Sequence, residues 1–291
     1  MKKCKICPRA CKINRNEKAG FCGVQKLKVA KVMRHMWEEP FISGTRGSGM
    51  IFFSGCNMKC VFCQNFEISQ NLKGKLVSAD ELIEIFKKLE NAGVHNINLV
   101  SPTQFSAEII EALKKYKPSI PVVWNSNGYE KIQTIKKLKG LVDIFLVDLK
   151  YSNNALAEKY SFSPNYFKVA KSAILQMRKN VKYDCTNSDG IMTSGLVVRH
   201  LILPGEIANS LNVIDWICHR LGNKTYLSIM SQFTPCHKAK NFENLKRKIK
   251  PIEQKAILNF AEKKNFENIF FQDMESASEN FIPDFDKFWE V

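Results

Sequence analysis

Three cysteines, Cys56, Cys60 and Cys63, lie within the nine-residue segment "GCNMKCVFC", which follows an apolar run. Four thiolates complete a 4Fe–4S cluster or a tetrahedral zinc site, whereas three leave one metal position open. The spacing C-x3-C-x2-C after a predicted strand therefore indicates an iron-sulfur site with one open iron. The alternative is a zinc site in which Cys185 or Cys236, further along the chain, supplies the fourth thiolate.

Four more cysteines, Cys4, Cys7, Cys11 and Cys22, form a second group near the start of the chain. Their spacing, C-x2-C-x3-C-x10-C, supplies enough thiolates to close a metal site. Zinc would make this segment a structural knuckle that folds on binding metal. An auxiliary iron-sulfur cluster would instead relay electrons, and the Cys-Pro pair of "CPRAC" is similar to cysteine usage in ferredoxins.

The elements that position these cysteines alternate between apolar, β-branched runs and helical stretches. Such runs, buried on both faces and separated by amphipathic helices, predict parallel β/α units with right-handed crossovers. Active sites in this architecture lie at the carboxyl ends of the strands, where the first cysteine loop begins. Six units fit an open partial barrel as well as a doubly wound sheet. The predicted strands are "GMIFFSG" from Gly49, "NINLVS" from Asn96, "IPVVWNSNG" from Ile120, "VDIFLVDLK" from Val142, "GLVVRHLILPG" from Gly195 and "YLSIM" from Tyr226.

The clearest helix is "SADELIEIFKKLENAG", with Ser78 as N-cap, Glu81 completing a capping box and Gly93 as the stop. Further helices are predicted from Ser106, from Asn209 and from Pro251. The run "NIFFQ" from Asn268 is a possible seventh strand, and the tail "FIPDFDKFWEV" a segment that packs over an end. Residues 153–194 look least regular, and "YDCTNSDG" within them is predicted to be an exposed loop.

Composition and charge set the class of protein. The chain has 291 residues, 45% of them hydrophobic, and a formal charge of +16. The segment from Met1 to His35 contributes eleven Lys and Arg against one acidic residue, Glu17. This balance fits either a solvated basic face or an anionic partner such as nucleic acid, a nucleotide-like cofactor or an acidic electron-donor protein. Without a signal-peptide pattern or a membrane-spanning run, we expect a soluble cytoplasmic protein in a reducing compartment.

The segment "CNMKCVFC" resembles the C-x3-C-x-aromatic-C signature of the radical S-adenosylmethionine (radical SAM) enzymes, and the resemblance extends from Gly47 to about Pro235. Within that superfamily the chain is most similar to the pyruvate formate-lyase activating enzymes, which activate glycyl-radical enzymes. It is closest to a branch of uncharacterised relatives carrying "CPRAC", "WEEP", "GCNMKCVFCQN" and "RHLILPG". We therefore expect a partial (β/α)6 barrel of the TIM type over residues 47–291, with a C-terminal closing segment, preceded by a cysteine-rich metal-binding extension over residues 1–46.

The resemblance also implies the chemistry. A 4Fe–4S cluster would be bound by Cys56, Cys60 and Cys63, and the amino and carboxylate groups of S-adenosylmethionine would chelate the fourth iron. One electron then cleaves the sulfonium into methionine and a 5'-deoxyadenosyl radical, which abstracts a hydrogen atom from a substrate. An acidic flavodoxin or ferredoxin would supply that electron, and the basic N-terminal segment suits its docking.

The first predicted cofactor contacts are an aromatic and an arginine. Phe62 lies where its ring can pack on the adenine, although a core position is an equal alternative. Arg199 in "RHLILPG" matches an arginine that activating enzymes place near the cofactor carboxylate, a task that suits a guanidinium. Because neighbours on a strand point to opposite faces, we predict Arg199 inward and His200 as a packed or surface histidine.

Two further motifs stand at predicted strand ends. Asn125 and Asn127 in "WNSNG" resemble the "TNG" element of activating enzymes, whose polar groups face the cofactor. Asp148 and Lys150 in "DLK" match their "D-x-K" element, which lies toward cofactor and substrate. The simpler interpretation of the second pair is a surface ion pair that contributes little.

One motif departs from the family pattern. Radical SAM enzymes of this type carry Gly-Gly-Glu after the second strand to hold the cofactor's amino group, whereas this chain has "LVSPTQF". Ser101 and Thr103 can accept that hydrogen bond through their hydroxyls. We therefore expect a somewhat different pocket around the amino group.

Two alternatives remain at this stage. The same radical chemistry can act on a small metabolite or a modified peptide instead of a glycyl-radical enzyme. A different class is a basic zinc-binding module that contacts nucleic-acid phosphates through Arg9, Arg15 and Arg34, with the barrel as scaffold. We prefer the radical enzyme because C-x3-C-x2-C at a strand end is far more specific than a basic stretch.

Overall fold

The structure is a computed structural model that describes residues 3–272 and 283–291. Its strands are β1 (Lys28–His35), β2 (Ser48–Phe53), β3 (Lys75–Leu76), β4 (Ile97–Val100), β5 (Val122–Ser126), β6 (Ile144–Asp148), β7 (Cys185–Thr186), β8 (Met192–Leu201), β9 (Tyr226–Met230), β10 (Ile269–Gln272) and β11 (Trp289–Glu290). Its α-helices are α1 (Pro40–Ser43), α2 (Phe66–Ser69), α3 (Ala79–Asn91), α4 (Ser106–Lys115), α5 (Ile132–Lys137), α6 (Asn154–Ser161), α7 (Tyr166–Asn180), α8 (Ile207–Leu221) and α9 (Pro251–Glu262).

The main sheet has the strand order β10-β9-β8-β6-β5-β4-β2-β1-β11. Every neighbouring pair from β2 to β10 is parallel, and these strands follow one another in chain order without a reversal. A doubly wound sheet reverses its order at a switch point, so this sheet winds in one direction as a barrel does. The six predicted strands are confirmed as a partial barrel, and "NIFFQ" forms a seventh parallel strand, β10.

Local sequence explains the clearest helix, α3. The Ser78 hydroxyl accepts a hydrogen bond from the Glu81 amide at 3.1 Å, and the Glu81 carboxylate accepts one from the Ser78 amide at 2.7 Å. This reciprocal capping box fixes the first turn. Gly93 follows the helix at a φ of +73°, which ends it as predicted.

Two parts of the fold differ from the expectations. Residues 153–194 are not irregular: they contain α6, α7 and a hairpin between β7 and β8. The buried face of α7 includes Ala170 and Ala173, whose small side chains give a weak apolar pattern. Strand β1, which pairs antiparallel with β2, was not predicted either. The "YDCTNSDG" segment is exposed as expected, although Cys185 and Thr186 within it form β7.

The barrel interior changes from apolar to polar along the strands. Alternate residues on a strand face the same side, and on β5, β6 and β8 an inward apolar residue is followed two positions later by an inward polar one. The apolar layer, which packs against α1, comprises Val123, Leu146 and Val197, and the polar layer beyond it comprises Asn125, Asp148 and Arg199.

The C-terminal segment packs against the β1 edge of the sheet. Residues 281–282 of the predicted tail lie outside the described residues, but β11 pairs parallel with β1 and Phe285 packs edge-on against Phe52. The fully buried Lys31 amine donates to the Asp284 carbonyl and pairs with Glu290, both at 2.5 Å. Among the helices of the described residues, none is long and apolar enough to cross a membrane.

Candidate functional site

The first cysteine group, called the cysteine trio (Cys56, Cys60 and Cys63), lies in the loop at the carboxyl end of β2. Gly55 begins this loop with a φ of +77°, a conformation that favours glycine. A Cβ at Gly55 would lie 2.5 Å from the carbonyl oxygen of Cys22, so a side chain is excluded by backbone contact as well. The turn therefore requires glycine at this position.

Each thiol of the trio has a polar side chain beside it. The Asn127 amide lies 3.4 Å from Cys56 Sγ, the Ser161 hydroxyl donates to Cys60 Sγ at 3.0 Å, and the Ser69 hydroxyl lies 3.2 Å from Cys63 Sγ. Hydrogen bonds to sulfur orient metal-bound thiolates and tune their clusters. Asn127 was predicted in the site, whereas Ser69 and Ser161 were not.

Burial makes the trio poor at holding negative charge by itself. Burial, together with the neighbouring Cys60, raises the pKa of Cys56 and of Cys63 to about 12. Burial also raises the pKa of Cys60. These thiols become thiolates at neutral pH only when a metal supplies positive charge beside them.

Neither of the two thiols considered as a fourth ligand lines the cavity of the trio. Cys185 is exposed and pairs with Ser194 near the start of β8, at the opposite end of the strands from the trio. The Cys236 thiol donates to the Phe62 carbonyl at 3.3 Å. Within residues 3–272 and 283–291, no three or more Cys, His, Asp or Glu side chains are grouped so as to hold a metal ion.

Four charged side chains alternate in sign along the polar layer of the barrel and are called the charge quartet. They are Glu38, Arg199, Asp148 and Lys150. Arg199 donates through Nη1 to Glu38 at 2.7 Å and through Nε to Asp148 at 3.0 Å, and Lys150 donates to Asp148 at 2.6 Å. Arg199 Nη2 donates to Asn125 at 2.8 Å. The contacts use three of the five N–H groups of the guanidinium and leave two for another acceptor.

Three members of the quartet, Arg199, Asp148 and Lys150, keep their charge because they compensate one another. Although burial lowers the pKa of Arg199, Asp148 and Glu38 raise it above its ordinary value. Although burial raises the pKa of Asp148, Lys150 and Arg199 lower it below its ordinary value. Buried charges are retained in proteins when they are paired in this way.

Glu38 is a site residue that the motif analysis missed. It lies in "WEEP", before α1, and its second carboxylate oxygen accepts from Asn98 at 3.1 Å and from Asn125 at 3.2 Å. The motif "WEEP", one of those that carry the family resemblance, was the available signal. Local sequence does not reveal its partner, because Arg199 lies 161 positions further along the chain.

The remaining predicted residues have different placements. Phe62 lines the cavity and packs edge-on against Phe233, with ring centroids 5.8 Å apart. Ser101 lines it with a φ of +56°, unusual for a non-glycine residue. Thr103 does not reach it: its hydroxyl donates to the buried Glu130 at 2.8 Å. His200 faces the helices, where its ring contacts a backbone carbonyl and a serine hydroxyl, and burial lowers its pKa to about 4.

Two adjoining cavities open at the carboxyl ends of the strands. The first, called the cofactor cavity, has a volume of 240 Å³ and is lined by the trio, Phe62, Ser101 and members of the quartet. The second, called the outer cavity, has a volume of 890 Å³ and is bordered by Trp37, Glu38 and Glu39. Arg199 and Asn125 line both, so the two cavities meet at the quartet.

The N-terminal cysteine set (Cys4, Cys7, Cys11 and Cys22) lines a separate, small cavity beside the barrel. The same cavity is bordered by Arg9, Arg15 and Gln104. The structure therefore brings all four predicted ligands together, away from the cofactor cavity.

The family is shown by comparison with known sequences. A model of the radical SAM superfamily matches residues 50–208, and the chain belongs to that superfamily. It is 32% identical over 279 residues to the uncharacterized protein MJ0674 of Methanocaldococcus jannaschii, which covers 92% of this chain and 77% of that protein.

Solved structures share the fold at low identity. Methylornithine synthase (PylB) aligns with a TM-score of 0.51 and 13% identity over 77% of this chain and 70% of that one. Streptococcus suis SuiB bound to precursor peptide SuiA aligns with a TM-score of 0.50 and 11% identity over 76% of this chain and 48% of SuiB. This chain thus spans about half the length of SuiB, and these likenesses concern the fold.

The donor set fits the cofactors that the superfamily implies, a 4Fe–4S cluster and S-adenosylmethionine. Three thiols face one cavity and leave the fourth corner of a cluster without a protein thiol among the residues that line it. The guanidinium N–H groups that remain on Arg199 are suited to a carboxylate. The residues present are therefore compatible with both groups.

Proposed function

We propose that the cysteine trio holds a 4Fe–4S cluster, that S-adenosylmethionine occupies the cofactor cavity, and that the enzyme abstracts a hydrogen atom from a protein backbone or peptide. When bound, the cluster and S-adenosylmethionine together supply a 5'-deoxyadenosyl radical. The observation that carries the proposal is the trio of part-buried thiols at the end of β2, facing a cavity that the charge quartet shares with an open outer cavity.

The residues of this chain have distinct tasks in that proposal. The side chains of Ser69, Asn127 and Ser161 orient the three sulfurs. Arg199 offers its remaining N–H groups to the cofactor carboxylate, and Phe62 offers a ring edge or face to the adenine. Ser101, which replaces the usual Gly-Gly-Glu, supplies a hydroxyl near the amino group.

A protein or peptide substrate is supported by the outer cavity. Its 890 Å³ lies at the upper end of the range for small-molecule sites, and Trp37 at its border is 71% exposed. SuiB, which shares the fold, is described in complex with a precursor peptide. Within this class we favour the activation of a glycyl-radical enzyme, because the sequence resembles pyruvate formate-lyase activating enzymes; modification of another peptide or a small metabolite is the alternative.

The nucleic-acid module receives less support. Arg9 donates to the Asn57 carbonyl at 2.9 Å, and Arg15 donates to the Gln104 carbonyl at 2.7 Å. Both side chains are part-buried and engaged with the barrel rather than directed outward for phosphates. Arg34 donates to the Ala92 carbonyl at 2.6 Å.

An anaerobic assay with labelled substrates tests the proposal. Reconstituted protein with dithionite and S-adenosylmethionine is expected to release 5'-deoxyadenosine slowly, and faster with a substrate. The assay compares peptides deuterated at glycine Cα, other deuterated peptides and deuterated metabolites. Only the correct class of substrate is expected to transfer deuterium into 5'-deoxyadenosine. Absence of 5'-deoxyadenosine from protein with full cluster occupancy would contradict the radical chemistry, and label from metabolites alone would contradict the peptide assignment.

A further inference from the structure

The N-terminal cysteine set is held in a loop whose backbone is shaped around its thiols. Ala10 and Lys12, on either side of Cys11, have φ values of +42° and +54°. Two such residues around one cysteine are uncommon, and strained backbone of this kind clusters at functional sites. All four thiols line one small cavity. They are therefore placed to bind a common metal centre.

The same loop touches the loop of the cysteine trio. The Cys22 carbonyl oxygen lies against Gly55, the residue before Cys56. Arg9 donates from Nε to the carbonyl of Asn57, the residue after Cys56, at 2.9 Å. Backbone and side-chain contacts thus connect the two cysteine groups directly on both sides of Cys56.

Arg9 lies between the two groups. Its side chain lines the cavity of the N-terminal cysteine set, and its Nε donates to the carbonyl of Asn57, the residue after Cys56. A guanidinium near thiols of both groups is placed to stabilise negative charge on either one. Each 4Fe–4S cluster gains negative charge when it is reduced, so this position affects reduction at both sites.

We propose that the N-terminal cysteine set holds a second iron-sulfur cluster, which passes electrons to the cluster held by the trio. This inference rests on the proposed function, since it names the source of the electron for that site. A one-electron donor of the ferredoxin or flavodoxin class loses one electron to the N-terminal cluster, which then loses one electron to the trio's cluster. No bond forms or breaks and no proton moves in either transfer.

The contact between the two cysteine loops favours a cluster over zinc. The N-terminal loop lies directly against the loop of the trio, at Gly55 and at Asn57. Zinc has no redox chemistry and could not pass an electron across that contact, whereas an iron-sulfur cluster can.

The surface around the set suits an acidic donor. Lys3, Lys5, Lys12 and Lys18 are all exposed beside these cysteines. Clustered positive charge steers an acidic partner toward this face. Because the N-terminal loop covers the trio's loop at Gly55 and Asn57, a donor docked here meets the N-terminal set first.

Metal analysis and spectroscopy of the anaerobically reconstituted full chain test the site. We expect about eight iron and eight sulfide per chain, and about four of each in the Cys7→Ser/Cys22→Ser variant. Cys185→Ser, which changes an exposed thiol of the hairpin, is the matched control and should keep the wild-type content. In the double variant, the electron paramagnetic resonance signal that responds to S-adenosylmethionine should remain, which also shows that the barrel has folded. Zinc without additional iron in the wild-type chain would overturn the proposal.

The relay is tested by changing the electron donor. With reduced flavodoxin, release of 5'-deoxyadenosine by the double variant should fall by about tenfold or more, whereas release with dithionite should stay near the wild-type rate. Equal rates for variant and wild type with flavodoxin would overturn the relay. Loss of the dithionite-driven reaction in the wild type would instead count against the proposed function.

Arg9→Met provides a test that leaves every cysteine in place. Removing the guanidinium should shift the reduction potential of the N-terminal cluster to a more negative value, measured by redox titration with electron paramagnetic resonance. Arg34→Met, at an arginine that contacts the Ala92 carbonyl away from both groups, is the control and should leave the potential unchanged. An unchanged potential in Arg9→Met would contradict the placement of Arg9 between the clusters.

Discussion

Glu39 directly precedes α1, at the border of the outer cavity, and only 2% of the residue is exposed. Its Oε1 atom has no hydrogen-bond partner among the described residues. Burial raises the pKa of Glu39 to about 7; Arg199 opposes this rise, whereas Glu38 and Asp148 add to it. Glu39 is thus an ionisable group whose charge state changes near neutral pH.

The raised pKa of Glu39 makes the folded protein less stable at neutral pH than at acidic pH. With an ordinary pKa of 4.5 in the unfolded chain and about 7 in the folded chain, ionising Glu39 costs about 3 kcal/mol of folding free energy. Below pH 4.5 both states keep the proton and nothing is lost. As the pH rises from 4.5 to 7 the unfolded state releases its proton first, so stability falls, and above pH 7 the loss is constant.

Glu39→Gln removes this titration. We expect the stability of Glu39→Gln relative to wild type to increase by about 2.5 kcal/mol between pH 5 and pH 8. The assay is anaerobic urea unfolding of both reconstituted proteins at the two pH values, so that cluster loss is common to each pair. Glu243→Gln, at a carboxylate whose side chain is 89% exposed, should show no such change.

Infrared spectroscopy of the same two proteins tests the protonation of Glu39 directly. At pH 5.5 the infrared spectrum of the wild type should contain a protonated-carboxyl band that is missing in Glu39→Gln. A relative stability that is the same at pH 5 and pH 8, together with no such band, would refute the assignment of a raised pKa to Glu39.

The remaining predictions concern the trio, the quartet and α3. Cys60→Ala should abolish the spectral response to S-adenosylmethionine and keep the N-terminal metal, whereas Cys236→Ser should keep both; turnover that survives in Cys60→Ala would contradict the ligand assignment. Arg199→Met should lower stability by about 3–5 kcal/mol, because it leaves buried carboxylates without their cation, and a melting temperature equal to wild type would contradict this. Ser78→Ala should cost about 1 kcal/mol through loss of the cap, measured against Ser172→Ala on an exposed helix face as control.

Much of the fold follows from local rules that sequence displays directly. The Ser78 and Glu81 capping box and the run from Tyr226 to Met230 depend on residues within a few positions of one another, and both appear as predicted. By contrast, α7 was missed because Ala170 and Ala173 contribute little apolar contrast although they pack in the core. Tertiary burial, which sequence periodicity does not measure, decides such helices.

Some residues of the candidate site could likewise be predicted from local sequence, and others could not. The inward direction of Arg199 and the outward direction of His200 follow from the two-residue period of a strand. Ser161 and Glu38 were missed because they meet Cys60 and Arg199 across 101 and 161 positions of chain. Thr103 shows the opposite error: the turn after β4 directs its hydroxyl to Glu130, a partner that the motif alone did not indicate.

The most direct test of the central claim is electron paramagnetic resonance of the reduced protein with S-adenosylmethionine labelled with ¹⁵N at the amino group and ¹⁷O at the carboxylate. We expect hyperfine coupling from both labels to the cluster of the trio, and none in Cys60→Ala. A fully occupied cluster that shows no coupling and no change on adding S-adenosylmethionine would contradict the account, because its fourth iron would then be closed.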